Sequence, residues 1–290
     1  MIKFLFVSLL VVLTSLSGWT QTPPAAATIP EGQRVFVCAH SFMIFTAKTL
    51  PPIAESAKIK HIAAGQQMIG GSQTIQHWNL PDEKNMAKKA LREGTVDVFV
   101  CSPLVQIPDR GIDNFTKLGL EKNPKLRVLV QASWVPRDGT LLGGFKNAQR
   151  DDATLEKLKS LREVQAGYTE ALLKQVTELN KASGKDVAHI IPVGDAVITL
   201  REKILAGQVP GLAKQTDLFS DDLGHAKSPL VILVTYCHYA AIYKQSPEGL
   251  PVPKEIKAMP KSEEMNKVLQ EIAWKTVSEY EASGVKAAKK

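Results

Sequence analysis

Short apolar runs recur along the chain and alternate with segments in which apolar residues return at helical spacing. The runs are rich in β-branched residues and end at Gly, Pro or Ser, which is typical of parallel strands covered on both faces. They predict five strands, at 34–39, 58–64, 96–101, 126–132 and 187–193. The intervening patterns predict helices at 45–56, 82–93, 111–120, 152–183, 196–206, 229–244 and 263–282. This alternation predicts an α/β fold, a parallel sheet between two helical layers.

The N-terminus has the pattern of an export signal. A short basic start at Met1–Lys3 precedes an apolar run at 4–13 and then small residues. This pattern predicts a signal peptide at 1–20, and so a secreted or periplasmic protein, because the run is shorter than the ~20 residues of a membrane span. The alternative is an uncleaved anchor. We expect a Pro/Ala linker at 21–32, one folded domain at 33–284 and a basic tail at 285–290.

Charge and composition exclude several kinds of partner. The net charge of +7 comes from scattered lysines rather than a dense basic stripe, so we expect no nucleic-acid partner. No cysteine or histidine spacing predicts a metal site, and we expect no metal or organic cofactor. No later run is long enough to span a membrane, so we expect no stable span after signal cleavage. The oligomeric state stays open.

Two segments carry candidate chemistry. Ser41 follows the first predicted strand, and Asp222 stands three residues before His225 in a loop-like stretch. Ser, His and Asp are the side chains of a nucleophilic hydrolase, in which a base activates a hydroxyl and an acid orients the base. In open parallel sheets ligands bind at the carboxyl ends of the strands, and Ser41 and Ser102 both fall at that edge.

These segments resemble the blocks of the SGNH/GDSL hydrolase superfamily, in a divergent secreted bacterial branch. The serine block reads Ala39-His40-Ser41-Phe42, the glycine block 69–72 reads Ile-Gly-Gly-Ser, and the last block is Asp222-Leu-Gly-His225. The serine block lacks the usual glycine and the acidic or amide residue. The usual Gly-x-Asn-Asp block after the third strand is absent, and residues 101–106 read CSPLVQ there. The resemblance implies a three-layer, flavodoxin-like α/β/α sandwich with a five-stranded parallel sheet.

The resemblance also implies roles for particular residues. Ser41 would be the nucleophile, His225 the general base and Asp222 the residue that orients it, with Asp221 as the alternative. The backbone N–H groups of Ser41 and of Gly70 or Gly71 would form the oxyanion hole, with the Gln106 amide in place of the missing asparagine. The candidate substrate-binding residues are His40, His77, Trp78, Ser102, Gln131 and Trp134. The expected reaction is hydrolysis of a small-molecule or polysaccharide acyl ester, with O-acetyl groups on a carbohydrate as one candidate.

Other interpretations of the same residues stay open. A serine after a strand is commonly a helix cap, and Asp-x-x-His is often a local hydrogen bond. The missing asparagine block favours a protein of this fold that binds a ligand or glycan without cleaving it, and a wide acyl tunnel would favour a thioesterase or acyltransferase. The connection at 134–150 has the length of a binding loop or lid. Cys38 and Cys101 end neighbouring strands, either as buried thiols or as a disulfide.

Overall fold

Five parallel strands form the centre of the molecule. The structure is a computed structural model that describes Met1 and residues 33–104, 106–140 and 143–286. The strands are β1 (Gln33–Ala39), β2 (His61–Met68), β3 (Val98–Cys101), β4 (Arg127–Gln131) and β5 (Ala188–Ile191). They lie in the order β2-β1-β3-β4-β5, and all four pairings are parallel. The predicted α/β fold with a five-stranded parallel sheet is confirmed.

Helices cover both faces of this sheet. They are α1 (Thr46–Ser56), α2 (Thr74–Trp78), α3 (Met86–Arg92), α4 (Arg110–Lys122), α5 (Leu155–Ser183), α6 (Val193–Leu205), α7 (Ser228–Tyr243), α8 (Lys254–Lys257) and α9 (Ser262–Glu279). One core joins the sheet to α1, α6, α7 and α9, and a second joins it to α3, α4 and α5. The arrangement is therefore a three-layer α/β/α sandwich.

Alternation along β1 explains how one strand supplies both cores. Val35 and Val37 point into the core with α7, whereas Phe36 and Cys38 point into the core with α4 and α5. Successive side chains of a strand face opposite sides of the sheet, so a strand covered on both faces needs apolar residues at every position. The sequence of β1 meets that need.

The structure differs from the sequence-based boundaries in several places. Strand β2 begins and ends later than expected, because it is an edge strand with several exposed positions and lacks the continuous apolar run of the inner strands. Helices α2 and α8, with five and four residues, are too short for a periodic pattern. The predicted signal peptide at 1–20 and linker at 21–32 lie outside the described residues apart from Met1, and the predicted tail is described only to residue 286. Among the described helices, none is both long and apolar enough to cross a membrane.

The cysteines are buried thiols. Cys38 and Cys101 lie opposite each other in the register of β1 and β3, yet both are free, as is Cys237. Burial raises the pKa of all three thiols, so the neutral form is favoured. The interpretation as buried thiols is confirmed, and the disulfide alternative is wrong.

Candidate functional site

Three side chains form a continuous hydrogen-bonded chain at the carboxyl edge of the sheet. Ser41 lies in the turn after β1, and its Oγ is 2.8 Å from Nε2 of His225. The other ring nitrogen of His225, Nδ1, is 2.5 Å from Oδ2 of Asp221. His225 lies just before α7, so the fold joins segments 184 residues apart in sequence. Ser41 and His225, which the sequence analysis selected from distant segments, are therefore in contact.

The carboxylate that contacts His225 is Asp221, not Asp222. Asp222 points the other way, where its carboxylate accepts the backbone N–H of Asn147 at 2.8 Å and pairs with Lys146 Nζ at 3.2 Å. The turn from Asp221 to Gly224, closed by the hydrogen bond from the Gly224 N–H to the Asp221 carbonyl at 3.2 Å, includes a φ of +105° at Gly224. Asp221 Oδ1 accepts the N–H groups of Gly224 and His225, at 2.9 and 3.1 Å. The expectation that Asp222 orients His225 is wrong, and the alternative residue Asp221 occupies that position.

The partners of His225 fix its tautomer. Partial burial would raise the pKa of Asp221, but hydrogen bonds from the His225 side chain and from two backbone N–H groups outweigh it and hold the pKa below its usual value. An ionised carboxylate can only accept, so His225 Nδ1 carries the proton and donates it to Asp221. Nε2 then keeps its lone pair and accepts the Ser41 hydroxyl. A neutral imidazole in this state can remove a proton from the serine.

A buried arginine holds the loop that contains Asp221. The guanidinium of Arg150 is almost fully buried and donates to the backbone carbonyls of Asp221 and Asp222, at 3.0 and 3.2 Å. It also donates to the carboxylate of Asp138, at 3.1 Å. The connection at 134–150 was expected to be a binding loop or lid. Arg150, at its end, supports the loop that carries Asp221 and His225, while Trp134 and Gly139 of the same connection line an apolar cavity, so a role in binding stays a prediction.

Trp134 gives the same loop a second attachment. Its indole N–H donates to the carbonyl of Gly224 at 3.0 Å. Its ring stacks on Phe42 at a centroid distance of 4.4 Å, and Phe42 in turn packs edge-to-face with His225 at a centroid distance of 5.4 Å. These contacts leave Trp134 with 4% of its surface exposed, so it positions the base as well as bordering the site.

A second serine and histidine lie beside the first pair but have different partners. His40 Nε2 is 2.7 Å from Ser102 Oγ, at the point where β1 and β3 end, while His40 Nδ1 accepts the N–H of Phe42 at 3.2 Å. Burial lowers the pKa of His40 to about 4, so the ring is neutral near pH 7. Because Nδ1 accepts, Nε2 carries the proton of the neutral ring, with Ser102 Oγ and the backbone carbonyl of Pro103 as its acceptors.

Gln131 and Ser133 continue this buried network. Ser102 Oγ lies 3.1 Å from Ser133 Oγ, which also accepts a hydrogen bond from Gln131 Nε2 at 2.7 Å. Gln131 Oε1 in turn is 2.7 Å from His238 Nε2. Gln131 Nε2 also donates to the carbonyl of Phe42 at 3.3 Å, so the network ends on the turn that carries Ser41.

The candidate oxyanion-hole residues lie in different settings. The hydrogen bond from the Ile69 N–H to the Ala39 carbonyl places the turn with Gly70 and Gly71 beside the Ser41 turn. Gly71 has a φ of +58°, in the left-handed region that glycine adopts readily because it has no side chain. Among the described residues, the N–H groups of Ser41, Gly70 and Gly71 donate to no backbone acceptor. Gln106 lies exposed on the connection after β3.

His77 and Trp78 have structural contacts. His77 is fully buried and hydrogen-bonds Gln67 and Ser72, at 3.2 and 2.8 Å, which fixes the turn after β2. Trp78 packs against Phe115 in the core with α4, at a centroid distance of 5.1 Å. The structure brings neither side chain to the Ser41–His225 pair among the contacts it describes.

Sequence analysis missed several residues of this site. Phe42, Ser133, Asn147 and Arg150 contact the candidate residues or their loop, and none was selected as a candidate. Ser133 had a local signal, since it follows the predicted fourth strand beside Gln131. Arg150 had none, because nothing in its own segment indicates that it reaches the loop at 221–222. Among the described residues, no group of three or more His, Cys, Asp or Glu side chains has the arrangement of a metal site.

The comparisons with known proteins support the fold. No family model matches the chain, and no curated protein matches it. Among solved structures, the chain is similar to a DUF4886 family protein from Bacteroides uniformis ATCC 8492, with a TM-score of 0.52 and 15% sequence identity. The match covers 84% of this chain and 94% of that one. At this identity the similarity shows a common architecture and carries no activity with it.

Proposed function

We propose that the protein is a serine hydrolase that cleaves acyl esters, with Ser41 as nucleophile, His225 as general base and Asp221 as the residue that orients and stabilises the base. The observation that carries the proposal is the hydrogen-bonded chain from Asp221 through His225 to Ser41, with distances of 2.5 and 2.8 Å. Its position after β1 of a parallel sheet, and the blocks that resemble the SGNH/GDSL superfamily, support the same assignment.

The chemistry follows from the hydrogen bonds. Ser41 Oγ attacks the ester carbonyl while its proton passes to His225 Nε2, and Asp221 stabilises the resulting imidazolium. The tetrahedral intermediate collapses when the same proton moves to the leaving alcohol, which leaves an acyl group on Ser41. Water then attacks the acyl group on Ser41 while a proton of the water passes to His225 Nε2. The bond to Ser41 Oγ breaks as His225 returns that proton to it, and the carboxylic acid is released.

The developing oxyanion needs donors that are in place before the reaction. The N–H of Ser41 and those of Gly70 and Gly71 are the candidates, because they have no backbone acceptor and lie on adjacent turns. Loss of one such donor typically costs about 10²- to 10³-fold in rate. The position of Gln106 gives no support to a third donor from its side chain.

The export prediction becomes part of the proposal, because the pattern at 1–20 is that of a signal peptide. Expression of the full chain in a bacterial host and fractionation of the cells test it. A shortened product outside the cytoplasm supports export, and a full-length product in the membrane fraction would favour the uncleaved anchor.

Hydrolysis of an aryl acetate and an aryl hexanoate tests the activity, with the wild-type chain beside Ser41→Ala and His225→Ala. We expect both variants to lose at least about 10³-fold in rate while their circular dichroism stays unchanged. Wild-type activity that survives both substitutions would reject this triad. A wild type that hydrolyses neither ester, but binds a ligand at this site, would support the non-catalytic alternative, which the missing asparagine block favours.

A further inference from the structure

An apolar cavity of about 370 Å³ lies beside the proposed triad: Phe42, the residue after Ser41, lines it, although Ser41 and His225 do not. Phe42 and Trp134 are among the lining residues, and the rings of Phe42 and His225 pack edge-to-face. Leu104 and Ile107, from the connection after β3, form one wall. Helix α5 contributes Gly167 and its neighbours to the lining. The volume falls within the roughly 300–1,000 Å³ of small-molecule sites.

The chemistry of the lining selects the occupant. None of the described residues that line the cavity carries a charge. The two lining side chains with hydroxyl groups already have protein partners: Tyr168 donates to the carbonyl of Pro103 at 3.2 Å, and Ser133 Oγ is held by Gln131 and Ser102. A sugar would lose its hydrogen bonds to water here, whereas a hydrocarbon chain loses none. The cavity therefore fits an alkyl group.

We propose that this cavity binds the acyl chain of the substrate, and that the natural substrates are esters of fatty acids of medium length rather than acetyl esters. The inference rests on the proposed function, because it joins the cavity to a carbonyl carbon at Ser41. An acetyl group would leave most of the cavity empty. Each methylene that is buried contributes about fourfold to kcat/KM, the equivalent of about 0.8 kcal/mol, and about twofold if only half buried. Four methylenes then favour hexanoate over acetate by roughly 15- to 250-fold.

Gly167 offers a direct way to fill the cavity. It lies within α5, and no atom outside its immediate neighbourhood lies within 4 Å of the place where a Cβ would stand. Glycine inside a helix costs about 1 kcal/mol relative to alanine, so a larger residue there does not weaken the helix. Gly167 is itself exposed, at the rim of the cavity, and Gly167→Phe would place a ring across the entry of the acyl chain. Ala166 is exposed and about 100° around the helix, away from the lining, and Ala166→Phe is the matched control.

The experiment measures kcat/KM for aryl acetate, butanoate, hexanoate and octanoate with the full chain. We expect the hexanoate-to-acetate ratio to exceed about 15 in the wild type, as worked above, to fall at least tenfold in Gly167→Phe and to stay within twofold in Ala166→Phe. A wild-type ratio near or below one, or equal ratios in the two variants, would overturn the assignment.

A binding measurement separates this inference from the proposed function. Octanoate is titrated by calorimetry into Ser41→Ala alone and combined with each of the two helix substitutions. We expect the affinity to fall at least tenfold with Gly167→Phe and to stay within twofold with Ala166→Phe. If no ester is hydrolysed but octanoate binds with this dependence, the acyl site stands and the hydrolase proposal fails. If octanoate does not bind and no chain-length preference exists, the acyl site is wrong.

Discussion

Exchange of Asp221 and Asp222 for asparagine, one at a time, tests which carboxylate orients the base. In Asp221→Asn the amide oxygen can keep the hydrogen bonds from Gly224 and His225 N–H, so the loop is retained. The amide NH₂ group then faces His225 Nδ1, which must accept instead of donate. The proton moves to Nε2, and His225 can no longer accept the proton of Ser41.

The exposure of Asp221 sets the size of the effect. The same substitution of a buried triad carboxylate lowers kcat by about 10⁴. Asp221 keeps 45% of its side-chain surface exposed, so water also stabilises the imidazolium when the carboxylate is gone. We therefore expect a loss of about 10²- to 10³-fold in kcat, with KM changed by less than about threefold, since the carboxylate acts through the base rather than on bound substrate.

Asp222→Asn is the matched control, because it makes the same chemical change one residue away. Its side-chain oxygen can still accept the N–H of Asn147, and only the exposed ion pair with Lys146 is lost. We expect its kcat to stay within about twofold of the wild type. The assay is aryl hexanoate hydrolysis from pH 6 to 9, with unfolding in urea to verify that both variants are folded. A large loss in Asp222→Asn with full activity in Asp221→Asn would refute the assignment of Asp221.

Two further predictions concern the support of the site and its response to acid. Arg150→Met leaves the carbonyls of Asp221 and Asp222 without their donor. We therefore expect about 3 kcal/mol lower free energy of unfolding in urea and at least tenfold lower kcat, with Arg150→Lys intermediate in both. Equal values for the wild type and both variants would contradict this. Burial lowers the pKa of His40 and His77 from 6.5 to about 4, and that of His238 from 6.5 to about 3. Between about pH 4 and 6.5 these histidines therefore bind more protons in the unfolded chain than in the folded one, and the stability falls as the pH drops through that range. Near pH 5 these three histidines alone contribute a slope of about 4 kcal/mol per pH unit, which the raised pKa values of the buried Asp109, Asp113 and Asp195 carboxyls oppose; a free energy of unfolding in urea that does not fall between pH 6.5 and 5 would contradict the prediction.

The sheet was predictable because its inner strands are buried on both faces. Each inner strand needs apolar residues at successive positions, and the runs at 96–101 and 126–132 display that need directly. The edge strand β2 was placed less well, because Ile62 is partly exposed and the polar pair Gln66-Gln67 interrupts its apolar pattern. Burial determined how clearly each strand could be seen in the sequence.

The sequence predicted the site residues only where the type of side chain itself indicates a chemical role. Ser41 and His225 were selected from their local context, and the structure brings them together. The choice between Asp221 and Asp222 depended on the turn, in which Asp221 faces Gly224 and His225 while Asp222 faces Asn147. Arg150 donates to two backbone carbonyls, and every residue type has such a carbonyl. No residue pattern at 221–222 could indicate that contact.

Two serine–histidine pairs meet at this edge of the sheet, and the second ring nitrogen decides which pair can react. In His225 the nitrogen Nδ1 donates to Asp221, which leaves Nε2 free to take a proton from Ser41. In His40 the nitrogen Nδ1 accepts from the N–H of Phe42, which leaves the proton on Nε2 and makes Ser102 the acceptor. The first pair therefore has the arrangement that the proposed base and nucleophile require, and the second pair forms a structural hydrogen bond. The second pair joins β1 to β3, and through Ser133 and Gln131 its network reaches the carbonyl of Phe42, so it supports the turn that carries the Ser41 hydroxyl.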